Sequence, residues 1–157
     1  MINNDVLRSM RYILNVNDLK LTEIIALSGG KTTVAEIKSF LLNDEDPKYA
    51  PCDDTTMAHF LDGLIYFKRG KDESKPAMPF ELPITNNVIL KKLRVAFTLK
   101  EDDIHQILES ADWKMGRSEL SAFMRKKDHP NYRECGDQVL RYFLRGLKTR
   151  VQGATAP

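Results

Sequence analysis

Apolar side chains recur at helical spacing in short blocks along the chain, and a polar, proline or glycine break closes each block. From Asn4, a residue type suited to a helix N-cap, Val6, Leu7, Met10, Ile13 and Leu14 share one face. A second block starts near Asp18, carries Leu21, Ile24, Ile25 and Leu27, and stops at Gly29-Gly30. A third opens at Thr33, where Thr-x-x-Glu to Glu36 spells a capping box, and presents Ile37, Phe40 and Leu41. After a turn holding Pro47 and Tyr49, a fourth carries Met57, Phe60, Leu61 and Leu64. The pattern predicts four short helices.

It then returns, without a gap, at an offset of 83 positions. Asn87 takes the place of Asn4, ahead of Ile89, Leu90, Leu93, Ala96 and Phe97. The second block reappears after Lys100 as Ile104, Ile107 and Leu108, and the third as Leu120, Phe123 and Met124 behind Gly116 at the cap position. Pro130 and Tyr132 repeat the turn, with the tyrosines expected to fold onto the core and their hydroxyls to reach polar groups. The last block repeats both Cys-x-Asp (Cys52/Asp54, Cys135/Asp137) and Phe-Leu-x-Gly-Leu (Phe60 to Leu64, Phe143 to Leu147).

The chain therefore reads as all-α: two tandem four-helix repeats, about eight helices, joined by a proline-rich strap. Expected boundaries are residues 1–70 for the first repeat, 71–85 for the strap, 86–150 for the second and 151–157 for a flexible tail. Pro76, Pro79 and Pro83 exclude a long helix from the strap, and Phe80 and Leu82 suggest that it is pinned across a core. Two repeats alone make an unstable solenoid, so the expectation is pseudo-two-fold packing through the Phe-Leu-x-Gly-Leu helices.

Composition adds bounds. In 157 residues, 42% hydrophobic and 29% charged, no apolar run is long enough to cross a membrane. The polar N-terminal stretch lacks the apolar core of a signal peptide, which makes cytoplasmic residence the expectation. The net charge of +2 hides an asymmetry: residues 1–70 balance to −2, and residues 86–157 to +5. An acidic partner, nucleic acid or an acidic protein surface, suits the second repeat.

The basic residues there have a pattern. Arg141, Arg145 and Lys148 fall at i, i+4 and i+7 on the last helix, where the first copy has Ala58, Asp62 and Ile65. Arg133, Lys126, Lys127, Lys91 and Lys92 extend the candidate face, which would track phosphates. Aromatic interleaving is weak, with Tyr142 pointing elsewhere and Phe143 in the core. A charged solvent face is the alternative.

Other repeated residues read as structural. Gly63 and Gly146, inside helices, mark close approach of another helix backbone or of a ligand. Cys52 and Cys135 lie at a helix N-terminus, which would lower a thiol pKa, yet they also suit buried hydrophobes. Asp54 and Asp137 are placed to meet the positive end of that helix. Arg11 and Arg94, at the edge of an apolar face, are expected to pair with Asp54 and Asp137 respectively, or with phosphate. His59, His105 and His129 occupy unmatched positions in the two copies, and the two cysteines have no metal-type spacing. No dinucleotide, phosphate-loop, zinc-protease or serine-hydrolase motif is present, so no cofactor is expected.

The runs Gly63-Leu64-Ile65-Tyr66, Arg69-Gly70-Lys71-Asp72-Glu73-Ser74, Asn86-Asn87, Leu90-Lys91-Lys92-Leu93-Arg94 and Arg133-Glu134-Cys135-Gly136-Asp137-Gln138 through Arg145-Gly146-Leu147 resemble the YehS-like family of small, duplicated bacterial proteins of unknown function. The resemblance covers nearly the whole chain. It implies a cytoplasmic bacterial protein and supplies no catalytic or ligand-binding residues. The expected function is a non-enzymatic binding module that takes nucleic acid on the basic face of the second repeat. The alternatives are a protein–protein adapter using a groove between the repeats and, behind it, a small-molecule-binding protein or an enzyme using Cys135.

Overall fold

The computed structural model describes residues 1–77 and 79–153, and among these it contains eight α-helices and no strand. They fall into two compact units, Ile2–Ile84 and the chain from Thr85 onward, the latter grouped with Met1. The first holds α1 (Asn3–Leu14), α2 (Asp18–Leu27), α3 (Val34–Leu41) and α4 (Asp54–Arg69). The second holds α5 (Asn86–Ala96), α6 (Glu101–Ser110), α7 (Arg117–Met124) and α8 (Asp137–Gly153).

Local chemistry explains several helix starts. The Thr33 hydroxyl accepts from the Glu36 amide and the Glu36 carboxylate accepts from the Thr33 amide, which completes the predicted capping box. Asn17 and Asp53 cap α2 and α4 through their side chains, and Gly116 stands at the start of α7. The duplication extends to the backbone. Asn15 and its counterpart Thr98 both adopt positive φ (54° and 53°), as do Gly29 and Asp112 (93° and 64°). A β-branched threonine is a poor occupant of that region, so the shared conformation is imposed by the fold.

One helix start in each copy differs from the sequence expectation. Asn4 and Asn87 are not N-caps. The caps of α1 and α5 stand two residues earlier, at Ile2 and Thr85, and both asparagines are buried within the first turn.

Each unit has its own core, and its most extensive helix contact is α2 on α4 or α6 on α8. Val6, Leu7, Met10, Leu21, Ile24, Ile25, Ile37, Met57, Phe60 and Leu64 are fully buried in the first; Leu93, Ile104, Leu140, Phe143 and Leu147 are equally enclosed in the second. Gly63 makes the first contact possible. A Cβ built there would lie 1.9 Å from the Ile24 carbonyl oxygen, and one on Gly146 would lie 2.1 Å from that of Ile107. The repeated glycine therefore marks close approach of a helix backbone, and that backbone belongs to the second helix of its own repeat.

The strap is tied to the first unit near both of its ends, with Lys71 Nζ donating to the Leu27 carbonyl at 3.4 Å at the near one. The Phe80 ring meets His59 edge-on at 4.7 Å, and the Ile84 amide donates to Asp54 Oδ2 at 3.1 Å. Leu82, expected to help pin it, is 52% exposed. Of the expected tail, Val151, Gln152 and Gly153 complete α8, while residues 154–157 lie outside the described residues.

Candidate functional site

The repeated Cys-x-Asp segment is held by the repeated Asn-Asn pair. Asn3 Nδ2 donates to the Cys52 carbonyl (3.1 Å) and to Asp54 Oδ1 (2.8 Å), and Asn86 makes the same bonds to Cys135 and Asp137 (3.0 and 2.8 Å). Asn4 Nδ2 donates to the carbonyls of Phe40 and Ala50 (3.0 and 2.9 Å), and its Oδ1 accepts from the Cys52 amide at 2.9 Å. Asn87 matches this with Phe123, Arg133 and Cys135 at 3.1, 2.8 and 2.8 Å. Each buried amide thus uses both donor hydrogens and its oxygen to fasten the loop before the fourth helix. This polar latch was hidden in the sequence because asparagine at a helix start reads as a cap.

Burial, with the Asp53 carboxylate adding to it, pushes the Cys52 thiol up to about 12. Burial and then Asp137 do the same to Cys135, also to about 12. Both thiols stay protonated at neutral pH, so the helix N-terminus does not activate them.

The expected Arg11–Asp54 and Arg94–Asp137 pairs do not form. Arg11 Nε donates to Asp18 Oδ1 at 2.9 Å, and Arg94 Nε donates to the Leu99 carbonyl at 3.1 Å. The aspartates are occupied by Asn3 and Asn86, whose short side chains already sit beside them. Glu101, the counterpart of Asp18, accepts instead from the Ser121 hydroxyl at 3.1 Å. Tyr49 and Tyr132 are half-buried, but their hydroxyls make no hydrogen bond to a described protein group, contrary to expectation.

The basic residues of the second repeat separate into two groups. On α8, Arg141 and Arg145 are exposed and Lys148 is half-buried. Arg141 Nη1 donates to Gln138 Oε1 at 3.2 Å, with Asp137 close enough to feel its charge. Arg145 lies with its guanidinium carbon 4.7 Å from the centre of the Tyr142 ring, and Tyr142 stacks on Trp113 at 5.0 Å with 30° between the planes. Tyr142 therefore does not point away from the ridge, because it stands three residues before Arg145 on the same helix and supports its side chain.

The second group surrounds α7 and the loop after it. Arg125 and Arg133 line a cleft of about 620 Å³ with Ser118, Ser121, Asn131, Tyr132 and Glu119. Lys91 Nζ donates to the Arg125 carbonyl at 3.1 Å, which brings α5 to the end of α7; Lys126 and Lys127 are exposed in the loop, and Lys92 is half-buried on α5. Arg125 was missed in the sequence. Its signal was the difference between copies, since Arg125 and Arg133 stand where the first repeat has Leu42 and Ala50. Trp113 and Tyr142 were findable in the same way, opposite Gly30 and His59. Among the described residues no group of three or more His, Cys, Asp or Glu side chains is arranged to hold a metal ion, and no helix is long and apolar enough to cross a membrane.

A family model described as "Protein of unknown function (DUF1456)" matches the chain twice, over residues 3–70 and 86–153. The chain is similar to the Uncharacterized protein YehS of Escherichia coli (strain K12), at 50% identity over 150 residues covering 96% of each chain. No solved structure matches.

Proposed function

The chain belongs to the DUF1456 family, whose description assigns no activity, and from that premise we propose a non-enzymatic binding protein whose second repeat takes nucleic acid through its basic residues. The observation that carries this reading is the state of Arg141 and Arg145. Both are exposed, and neither forms an ion pair with a described residue: one guanidinium rests on an amide oxygen and the other on an aromatic ring. A guanidinium without a bonded carboxylate keeps its donors for phosphate oxygens. The first repeat has buried Ala58 and Asp62 at these positions, so the pair of cations distinguishes one copy from the other. Arg125, Arg133, Lys126 and Lys127 add positive charge in the same unit. The protonated thiols supply no nucleophile that would favour an enzyme. A bacterial, cytoplasmic setting belongs to the same reading.

Fluorescence anisotropy with labelled oligonucleotides at low and at physiological salt tests it. Binding is expected at low salt, weakening as salt rises. Replacing Arg141 and Arg145 together with glutamine should reduce the slope of log K against log salt by about 1.4 to 1.8, the loss of two phosphate contacts. No binding at low salt removes the reading.

A further inference from the structure

Resting on that reading, we propose that the α8 ridge takes single-stranded nucleic acid, with an unpaired base stacked on the Arg145 guanidinium. The guanidinium and the Trp113 ring both lie close over Tyr142, at 4.7 and 5.0 Å from its centre. Tyr142 thus packs against both, and Trp113, Tyr142 and Arg145 make one column of side chains with Tyr142 as its middle member. Trp113 and Tyr142 are half-buried and fixed by the fold, whereas Arg145 is exposed, so the column ends in a cationic plane open to solvent.

An arginine on a bare helix surface must give up rotamer freedom to hold a ligand, while one already laid on a ring has lost most of it. The plane suits a base face better than a base edge. Bases within a duplex have both faces covered by their neighbours, but unpaired bases stack readily on aromatic rings and guanidinium planes. Arg141, one turn earlier, lies beside the platform for the adjoining phosphate. The first repeat cannot build the column: Gly30, His59 and Asp62 hold the equivalent positions, and His59 packs nearly perpendicular to Phe80.

Trp113 is the only tryptophan of the chain and so reports from inside the column. The full chain is titrated at low salt with a single-stranded oligonucleotide and with the duplex of the same sequence, following Trp113 fluorescence and anisotropy. The single strand is expected to bind about fivefold or more tightly than the duplex and to change Trp113 emission. Arg145→Lys keeps the charge and removes the plane. It should weaken single-strand binding about fivefold and leave the salt slope unchanged. Arg8→Lys in the first repeat is the control, because its counterpart Lys91 already makes the same kind of bond to a loop carbonyl. Duplex binding as tight as single-strand binding, or an Arg145→Lys protein as good as the parent, overturns the stacking proposal and leaves the nucleic-acid reading standing. Failure of both oligonucleotides to bind at low salt overturns both.

Discussion

Replacing Gly63 or Gly146 by alanine sets two known effects against each other. Alanine favours a helix interior over glycine by about 1 kcal/mol, so an open site would gain stability. Here the new methyl would fall 1.9 Å from the Ile24 carbonyl oxygen and 2.9 Å from its carbon. At Gly146 the distances to the Ile107 carbonyl are 2.1 and 2.9 Å, with Ile107 Cγ2 at 2.8 Å. These are mainly backbone atoms, which cannot swing aside as a side chain end would. The paired helices must separate by roughly 1 Å or more, along the contact that holds each unit together, and overpacking of this kind costs about 3 kcal/mol at the upper end of its usual range. The net expectation is a loss of about 2 kcal/mol for each variant, a urea midpoint lower by about 1 M. Urea titrations followed by far-UV circular dichroism measure it, with Trp113 fluorescence reporting on the second repeat. An alanine variant as stable as the parent, or more stable, would refute the close-approach reasoning.

Asn4→Ala and Asn87→Ala should each lower stability by about 3 kcal/mol or more, since each strands two carbonyls and an amide. Thermal melting checks this, and equal loss in the two copies is expected. Native Cys52 and Cys135 should resist iodoacetamide at neutral pH and react once the chain is unfolded in denaturant. Their folded pKa values, raised from 9.0 to about 12, also set a sign: above about pH 9 the unfolded chain releases thiol protons that the folded one keeps. Their contribution to stability is therefore complete below that pH and declines as pH rises toward 12, which alkaline urea titrations would detect.

The helices and their duplication were legible because apolar periodicity is a local signal repeated along the chain. Partners were less so. Matching repeated residues pairs Arg11 with Asp54, but Asp18 stands seven positions away on the next helix and Asn3 already holds Asp54. Residue type alone does not rank competing acceptors. The basic ridge on α8 was visible as spacing, while its aromatic support was not, because Trp113 comes from the segment after α6 and meets Tyr142 only once α6 and α8 pack. Leu82 shows the opposite case: an apolar residue between prolines reads as an anchor, yet it is exposed, while Lys71, Phe80 and the Ile84 amide make the attachment.

The asparagine latch has a consequence for how the two copies were able to diverge. Everything Asn4 and Asn87 grip is main chain: the carbonyls of Phe40 and Ala50, of Phe123 and Arg133, and the amides of the two cysteines. Arg8 and Lys91 likewise hold the carbonyls of Leu42 and Arg125. Main-chain groups are the same whatever side chain they carry, so this fastening is blind to sequence. The loop is kept in place while its side chains are left at liberty, and that liberty lies where Leu42 and Ala50 in one copy became Arg125 and Arg133 in the other. A duplicated chain with such a loop can exchange one surface chemistry for another without renegotiating its fold.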